Sequence, residues 1–510
     1  MKPTRLSISL FILTALFTLQ SAPADQRATK GSASSIQRAT KGSASSIQRT
    51  PEGSASSTQP ATKGSASPPE AQGKSSPQPT RPNFVIIMAD DLGYGELGCY
   101  GSNSFKTPHI DALARGGIRF TDFHSNGAVC SPTRAALLTG RYQQRSGIDG
   151  VITAKSHRHT GLGLEQETVA EMLKRAGYAT GMFGKWHVGY DTKFNPIKQG
   201  FDEFHGFVSG NIDLFSHIDQ EGWFDWWAQD KLTYIPGYAP HHITERGIEF
   251  IRQHKDRPFL LYLPHPAPHY PYQGPGDHAN RVVKKGFKPD QLDKLTTVPG
   301  LKKAEASRAY REMVQDLDTQ VGKIIAELEC QGLRENTLII FCSDNGGTGN
   351  KKLGSDNGPL RGKKGQLYEG GHRVAGIFNW PSNIEPGLCT ETALTFDLMP
   401  TFAELADVVP EATMDGLSLK SLLLTNESLA ERPLVWMSGE RIAYRLGDWK
   451  LLSANNDKHK SSPMLFNLRQ DLGETTDLAT QYPERVKAMQ ATALHLQREI
   501  RTNSKILNEK

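Results

Sequence analysis

The chain has 510 residues, of which 37% are hydrophobic and 22% are charged, and its formal net charge is +5. Acidic and basic residues are interspersed, and the absence of a basic run of five or more argues against a nucleic-acid partner. At roughly 100–200 residues per domain, the length suits two to four domains or one large α/β domain with additions.

Residues 1–24 have the pattern of a secretory signal peptide. Lys2 and Arg5 precede an apolar run from Leu6 to Leu19, and Ala22-Pro23-Ala24 supplies the small residues of a cleavage site. The run is too short to cross a membrane, and no later stretch approaches the ~20 apolar residues of a spanning helix. We therefore expect an exported protein, periplasmic or secreted, without a transmembrane anchor.

Residues 25–82 are predicted to be a disordered, low-complexity linker. Within it, residues 26–69 form four copies of an 11-residue unit, the first being QRATKGSASSI, and these copies lack apolar periodicity. Solenoid repeats need an apolar face to bury, so a flexible, solvated tether is the better interpretation. The folded part is expected to begin at residue 83.

The chain has five cysteines, an odd number, so at least one of them cannot form a disulfide within the chain. Cys99, Cys330, Cys342 and Cys389 allow three disulfide pairings, between which the sequence cannot choose. Cys130 would then remain unpaired and available for chemistry, although a free buried thiol is the alternative.

The apolar run 83–88 predicts a strand that is buried on both faces. Asp90 and Asp91 follow it, at the carboxyl end where open α/β sheets bind their ligands. An ordinary acidic loop is the alternative. Two adjacent carboxylates at a strand end favour a bound cation instead.

Cys130 begins a predicted short helix, because Pro132 suits a first helical position and Ala135 to Leu138 are strong helix formers. The unpaired N–H groups and partial positive charge at a helix start favour an anion near the Cys130 side chain. Taken alone, a buried structural cysteine is the simpler interpretation.

Further along the chain, two segments present basic side chains at predicted strand ends. A strand over 180–187 would direct Lys185 and His187 to the same side, because alternate residues share a face. After a strand over 258–263, the prolines around His269 stiffen the backbone and hold its side chain in one direction. For each residue alone, a surface lysine or a core histidine is the alternative.

Residues 190–240 are irregular and rich in aromatic side chains, including Trp223-Phe224-Asp225-Trp226-Trp227. Such a cluster could stack on sugar rings. Packing of the loop onto its own domain is the favoured interpretation.

A second buried strand, over 338–342, is followed by Asp344 and Asn345. Oxygen ligands at two strand ends, without a Cys or His cluster, favour Ca²⁺ or Mg²⁺ over zinc. Beyond them, glycines surround Lys363 and Lys364, where the backbone could approach an anion closely or form a solvated turn.

Between these strands, apolar periodicity and end signals predict helices over 107–117, 167–176, 245–254, 304–329 and 397–406. Residues 83–410 are therefore predicted to form a main α/β domain. From residue 411 the character changes, with short antiparallel strands within 441–452 and 465–468 and a closing helix over 483–501. We predict a smaller α+β domain over 411–510.

Together these segments resemble a known family. The segment Cys130-Ser131-Pro132-Thr133-Arg134, with Leu138-Thr139-Gly140, resembles the signature C-x-P-x-R-x-x-x-L-T-G of the type I, formylglycine-dependent sulfatases. The resemblance continues in chain order through 89–95, 184–187, 268–271, 343–346 and 364–371, and covers roughly residues 83–480.

The resemblance implies an arylsulfatase-like enzyme of the alkaline phosphatase superfamily. Its fold would be a large mixed, mostly parallel sheet sandwiched by helices, with a smaller C-terminal α+β domain carrying a short antiparallel sheet. The substrate would be a sulfate ester of a sulfated carbohydrate. A dedicated maturation enzyme would convert Cys130 to formylglycine, whose hydrated aldehyde would attack sulfur, and His187 would deprotonate its second hydroxyl to release sulfate.

The resemblance also assigns the remaining site residues. One Ca²⁺ ion would lie against the formylglycine of Cys130 and be held by Asp90, Asp91, Asp344 and Asn345. Arg134 and Lys185 would steady the nucleophile, and Lys364 and His269 would bind the sulfate, either being able to protonate the leaving oxygen. Lys364 is preferred to Lys363 by its spacing from 368–371, and His269 to His265 by the Tyr-Pro that follows it. His372 departs from the apolar residue expected there.

Two other functions remain open on sequence grounds. The fold also suits a phosphoester or phosphonate hydrolase of the same superfamily, against which the complete Cys130 motif argues. A non-catalytic, glycan-binding relative is the third possibility, and the filled catalytic positions argue against it.

Overall fold

The structure is a computed structural model and describes residues 81–282, 303–454 and 462–502. The predicted signal peptide over 1–24, and the predicted linker except its last two residues, lie outside the described residues. In the described part, no helix combines the length and the hydrophobicity that crossing a bilayer requires.

A large sheet forms the centre of the described chain. Its strands are β1 (Asn83–Ala89), β2 (Ile118–His124), β3 (Ala179–Lys185), β4 (Glu203–Phe207), β5 (Trp227–Ala228), β6 (Lys231–Leu232), β7 (Phe259–Pro264), β8 (Thr337–Ser343), β9 (Arg373–Asn379), β10 (Gly387–Cys389) and β11 (Ala393–Leu394). They pair in the order β10-β2-β9-β8-β1-β7-β3-β4-β5-β6, with β11 also pairing with β2.

Most neighbouring strands of this sheet are parallel. The central strand β1 pairs in parallel with β7 and β8, and Phe84 lies opposite Leu260 and Leu338. Strand β9 is antiparallel to both of its neighbours, β2 and β8. The predicted large mixed, mostly parallel sheet is confirmed.

Helices cover both faces of the sheet. They are α1 (Pro108–Arg115), α2 (Cys130–Thr139), α3 (Ala154–His157), α4 (Val169–Arg175), α5 (Ala239–Gln253), α6 (Lys303–Cys330), α7 (Glu369–His372), α8 (Leu398–Ala406), α9 (Lys420–Thr425) and α10 (Pro483–Thr502). Alternate residues of β1 enter two separate cores, because successive strand side chains point to opposite faces. Phe84, Ile86 and Met88 pack with α2, α4 and α8, whereas Val85 and Ile87 pack with α1, α5 and α6.

A separate antiparallel sheet follows in the chain. It comprises β12 (Leu434–Ser438), β13 (Arg441–Leu446), β14 (Trp449–Ala454) and β15 (Met464–Asn467), paired in chain order. Helix α10 packs on it through Val486 and Met489, in a core that also contains Trp436. The predicted short antiparallel sheet and closing helix are confirmed, and β12 is a strand that the sequence analysis did not identify.

All five cysteines are free. None of the three pairings that the sequence allowed for Cys99, Cys330, Cys342 and Cys389 is formed. Cys342 lies fully buried in β8, and Cys330 is exposed at the end of α6. The described fold therefore depends on packing rather than on disulfides.

Candidate active site

The residues singled out in the sequence lie mostly at one edge of the large sheet. Strands β8, β1, β7 and β3 are neighbours and parallel, so their carboxyl ends meet at this edge. The chain leaves β1 into Asp90 and Asp91, leaves β8 into Asp344 and Asn345, and ends β3 at Lys185.

Two buried ion pairs fix the base of the site. Lys185 Nζ lies 2.6 Å from Asp90 Oδ2, and Arg134 Nη2 lies 2.8 Å from Asp344 Oδ2. Arg134 Nη1 also donates to the Lys185 carbonyl at 2.8 Å. Arg134 lies one turn into α2, so this helix is tied to the ends of both β3 and β8.

Cys130 is the first residue of α2 and is 2% exposed. Its Sγ lies 3.3 Å from Lys364 Nζ and 3.8 Å from Asp90 Oδ1. Burial raises the pKa of the Cys130 thiol to about 12, although the Lys185 and Lys364 ammonium groups act in the opposite direction. The thiol is therefore protonated at neutral pH and a poor nucleophile as it stands.

The carboxylates are crowded together away from water. Burial and the neighbouring Asp344 raise the pKa of Asp90 to about 7, despite its contact with Lys185. Burial also acts to raise the pKa of Asp91, but Lys364 Nζ, 2.6 Å from Asp91 Oδ1, and His269 together hold it well below its usual range. A further cation would stabilise this arrangement.

The same side chains fit a hard metal ion. One ligand atom from each of Asp90, Asp91, Cys130 and His269 lies within 4.8 Å of the others. Asn345 Nδ2 donates to Asp91 Oδ1 at 2.8 Å. The other polar atom of this side chain, Asn345 Oδ1, is buried and has no hydrogen-bond partner in the described part of the chain. Buried oxygens are rarely left unpaired, and carboxylate and amide oxygens are the ligands of Ca²⁺.

His187 does not lie on a strand, which corrects the prediction of a strand over 180–187. Strand β3 ends at Lys185, and His187 has a left-handed backbone with φ of 58°. Its Nε2 donates to the Ile152 carbonyl at 2.9 Å, and its Nδ1 is buried with no hydrogen-bond partner among the described residues. Burial, with Lys185 and Arg134, holds the pKa of His187 well below its usual range, so the imidazole is neutral and its Nδ1 carries a lone pair.

The structure brings His269 and Lys364 to the site, rather than the adjacent candidates. His269 Nε2 lies 3.7 Å from Asp91 Oδ2, whereas His265 is buried outside the group of possible metal ligands. Lys364 contacts both Cys130 and Asp91, and Lys363 is exposed.

Glycines allow the loop that carries Lys364 to approach the end of β8. Gly346 N donates to the Gly371 carbonyl at 3.0 Å, and a Cβ on Gly346 would lie 1.9 Å from the Gly370 carbonyl oxygen. No side chain fits there. The Asp344-Asn345 turn and the Lys364 loop are therefore held in direct backbone contact.

Behind this loop lies a buried ion cluster that the sequence analysis missed. Lys450 Nζ, from β14, lies 2.8 Å from Glu369 Oε1 and 2.9 Å from Glu474 Oε1. His372, the unexpected residue of the motif, is buried beside it and stacks on Trp436 at 4.3 Å. The sequence does contain a sign of this cluster, because Lys450 is a charged residue between the apolar Trp449 and Leu451 of a predicted strand.

Comparisons with known proteins give a consistent result. The family model described as Sulfatase matches residues 82–408. The chain is 34% identical over 453 residues to arylsulfatase A of Homo sapiens, covering 78% of this chain and 83% of the relative. It is 29% identical over 466 residues to N-acetylgalactosamine-6-sulfatase of Canis lupus familiaris, covering 81% and 84%.

Solved structures agree with these matches. The crystal structure of Ps i-CgsB in complex with k-i-k-neocarrahexaose superposes with a TM-score of 0.72 at 28% identity, covering 84% of this chain and 94% of that chain. The likeness therefore extends to the fold as a whole.

Proposed function

Because the chain belongs to the sulfatase family and is a sulfuric ester hydrolase, we propose that it is an exported, Ca²⁺-dependent enzyme that desulfates a carbohydrate through a formylglycine made from Cys130. The observation that carries the proposal is the position of Cys130. It begins α2, contacts Asp90 and Lys364, and lies where three buried carboxylates and the basic side chains converge. A maturation enzyme would be needed, because the unmodified thiol is protonated at neutral pH.

Asp90, Asp91, Asp344 and Asn345 would hold the calcium ion. Two observations support this assignment: Asn345 Oδ1 has no hydrogen-bond partner among the residues described, and the carboxylates are crowded together. The ion would supply positive charge against the sulfate oxygens, and formylglycine would supply the attacking oxygen.

The remaining side chains would act around the reacting group. Arg134 orients Asp344 and the end of β3, and Lys185 balances the charge of Asp90. His187 would accept a proton at Nδ1, because its Nε2 is committed to the Ile152 carbonyl. Lys364 and His269 are partly exposed and would bind the sulfate of the substrate, placing fixed positive charge where negative charge develops.

The proposed substrate class rests on the relatives. One relative is an N-acetylgalactosamine-6-sulfatase, and one similar structure is a complex with k-i-k-neocarrahexaose; both names refer to carbohydrates. Export rests on the predicted signal peptide over 1–24. The catalytic domain over 83–410 and the C-terminal domain over 411–510 are proposed as its functional parts.

The conversion of Cys130 is tested by mass spectrometry of the full chain produced together with a formylglycine-generating enzyme. The tryptic peptide 120–134 is expected to carry an aldehyde oxygen in place of sulfur. Turnover of an aryl sulfate should exceed that of the matching aryl phosphate. Active protein that contains only the thiol would refute the mechanism, and faster phosphate hydrolysis would favour a phosphoester hydrolase.

Removal of calcium provides an independent prediction. A chelator is expected to lower both the Tm and the rate of aryl sulfate hydrolysis, and Ca²⁺ should restore both more fully than Mg²⁺. A bound ion present at about 100 times its Kd contributes about 2.7 kcal/mol to folding, so the shift in Tm is measurable without activity.

The control for this prediction compares two aspartates by calorimetric titration with Ca²⁺. Asp91→Asn should weaken calcium binding at least tenfold, because it removes a charged ligand, on the order of the loss when metal-site residues are replaced. Asp256→Asn, at an exposed position, should bind calcium like the wild type. Equal affinities in all three proteins would contradict the assignment of the ligands.

A further inference from the structure

The side chain of Arg158 lies beside the candidate active site and has no carboxylate of the described residues closer than 4.0 Å. Arg158 follows α3, and its Cζ lies 5.2 Å from the centre of the Trp223 ring and 6.0 Å from that of Tyr190. We call these three residues the Arg158 stack. Contact with the aromatic faces positions the guanidinium group, while 42% of the side chain remains exposed.

The protein makes little use of the charge of Arg158. Its nearest carboxylate is that of Asp219, with Nη2 and Oδ2 4.0 Å apart. The other Asp219 oxygen accepts the backbone N–H groups of Glu221 and Trp223, at 2.9 and 2.8 Å. Within residues 81–282, 303–454 and 462–502, no hydrogen-bond acceptor contacts the guanidinium group of Arg158.

A neighbouring arginine shows the contrast. Arg281 lies over the Tyr270 ring at 5.9 Å, but its Nη1 donates to the Ile218 carbonyl at 2.9 Å and its Nη2 to Asn211 Oδ1 at 2.8 Å. The donors of Arg281 are used to hold a loop. Arg158 makes no such hydrogen bonds to the described part of the chain, and its side chain is 42% exposed.

Tyr190 places the stack next to His187. Its hydroxyl donates to the Ile152 carbonyl at 3.4 Å, the same oxygen that accepts from His187 at 2.9 Å. The Gly210 N–H donates to the Tyr190 hydroxyl at 3.3 Å, and a Cβ on Gly210 would lie 2.7 Å from His187 Nε2. Arg158 is thus separated from the proposed proton acceptor by a single tyrosine.

We propose that the Arg158 stack is a subsite for a second anionic group of the substrate, a sulfate or carboxylate on the sugar next to the one that is desulfated. The planar guanidinium group presents paired donors that match the oxygens of a sulfate or a carboxylate. Stacking on the aromatic rings already restricts the Arg158 side chain, so less conformational entropy is lost when it binds the anion. This inference rests on the proposed function and narrows its substrate class to carbohydrates with at least two negative charges.

The test measures kcat/KM of the matured full chain on three disaccharides that share one sulfate ester. The neighbouring ring is neutral in the first, sulfated in the second and carboxylated in the third. The wild type should prefer a doubly anionic substrate, and Arg158→Gln should reduce that preference roughly 10- to 100-fold, as expected for a lost charged hydrogen bond. Comparison of the second and third substrates identifies the anionic group.

Two further variants sharpen the result. Arg158→Lys should retain part of the preference, because it keeps the charge but loses the planar fork. Arg246→Gln, which removes a partly exposed arginine of α5 paired with Glu249, should keep the wild-type preference. The readout for each variant is the ratio of its kcat/KM values on two disaccharides, measured on one preparation. A loss of folded protein lowers both values equally and leaves the ratio unchanged.

The outcomes separate this inference from the proposed function. A wild type that hydrolyses all three disaccharides equally, or an Arg158→Gln variant that keeps the full preference, overturns the subsite alone. A wild type that hydrolyses none of the three contradicts the proposed function, and the subsite with it.

Discussion

Cys130→Ala is expected to abolish hydrolysis of an aryl sulfate by the matured enzyme, with a loss on the order of 10⁴-fold or more, as when a nucleophile is removed. The reason is geometric, because Cys130 is the residue of α2 that contacts both Asp90 and Lys364. The remaining side chains can bind a sulfate ester, but they would have no attacking group. Steady-state rates at saturating substrate measure the loss.

The same variant should fold normally. Deleting one buried sulfur costs on the order of 1 kcal/mol, as for other small truncations in a core. Cys389→Ala is the matched control, because Cys389 is also buried but lies on β10, away from the site, and this variant should keep the wild-type rate. Residual turnover by Cys130→Ala above about 1% of wild type would exclude Cys130 as the source of the nucleophile.

Lys450→Met is expected to lower the free energy of unfolding by about 3–5 kcal/mol, the typical cost of removing one partner from a buried ion pair. Lys450, Glu369 and Glu474 all have buried side chains, and the ammonium group lies within 2.9 Å of both carboxylates. Methionine has a similar volume but leaves Glu474 without the Lys450 ammonium group, and it leaves Glu369 with Arg373 alone, whose Nη1 lies 3.1 Å from Glu369 Oε2.

Urea unfolding of the two proteins measures this loss. Lys420→Met serves as the control, because Lys420 Nζ lies 3.5 Å from Glu404 Oε1 at an exposed surface, where such a pair contributes at most about 1 kcal/mol. Similar losses in both variants would mean that the buried ion cluster does not fasten β14 to the segment around Glu369.

The central sheet and the acidic strand ends could be predicted because their signals are local. The apolar runs that became β1 and β8 are continuous, and the rule that ligands bind at carboxyl ends then placed Asp90 and Asp344 together. Periodicity failed at His187, because the left-handed backbone there is not visible in a pattern of apolar and polar residues. Resemblance, rather than periodicity, identified His269 and Lys364.

The buried ion cluster and the Arg158 stack could not be predicted because their partners are distant in the chain. Lys450 and Glu369 are 81 residues apart, and neither segment differs locally from an ordinary strand or turn. Arg158 and Trp223 lie in irregular segments, where no periodicity relates one side chain to another. Such contacts depend on the tertiary fold.

The position of β1 between β7 and β8 also sets an order of events during synthesis. Phe84 is made early, but its partners Leu260 and Leu338 emerge much later, so the central sheet cannot close until residue 343 has left the ribosome. Until then the pocket around Cys130 does not exist, and its thiol remains accessible on an incomplete chain. Once β8 and the loop that carries Lys364 have packed against α2, the Cys130 side chain is enclosed. Any enzyme that modifies Cys130 must therefore act on the growing or newly released chain, before the sheet has formed around it.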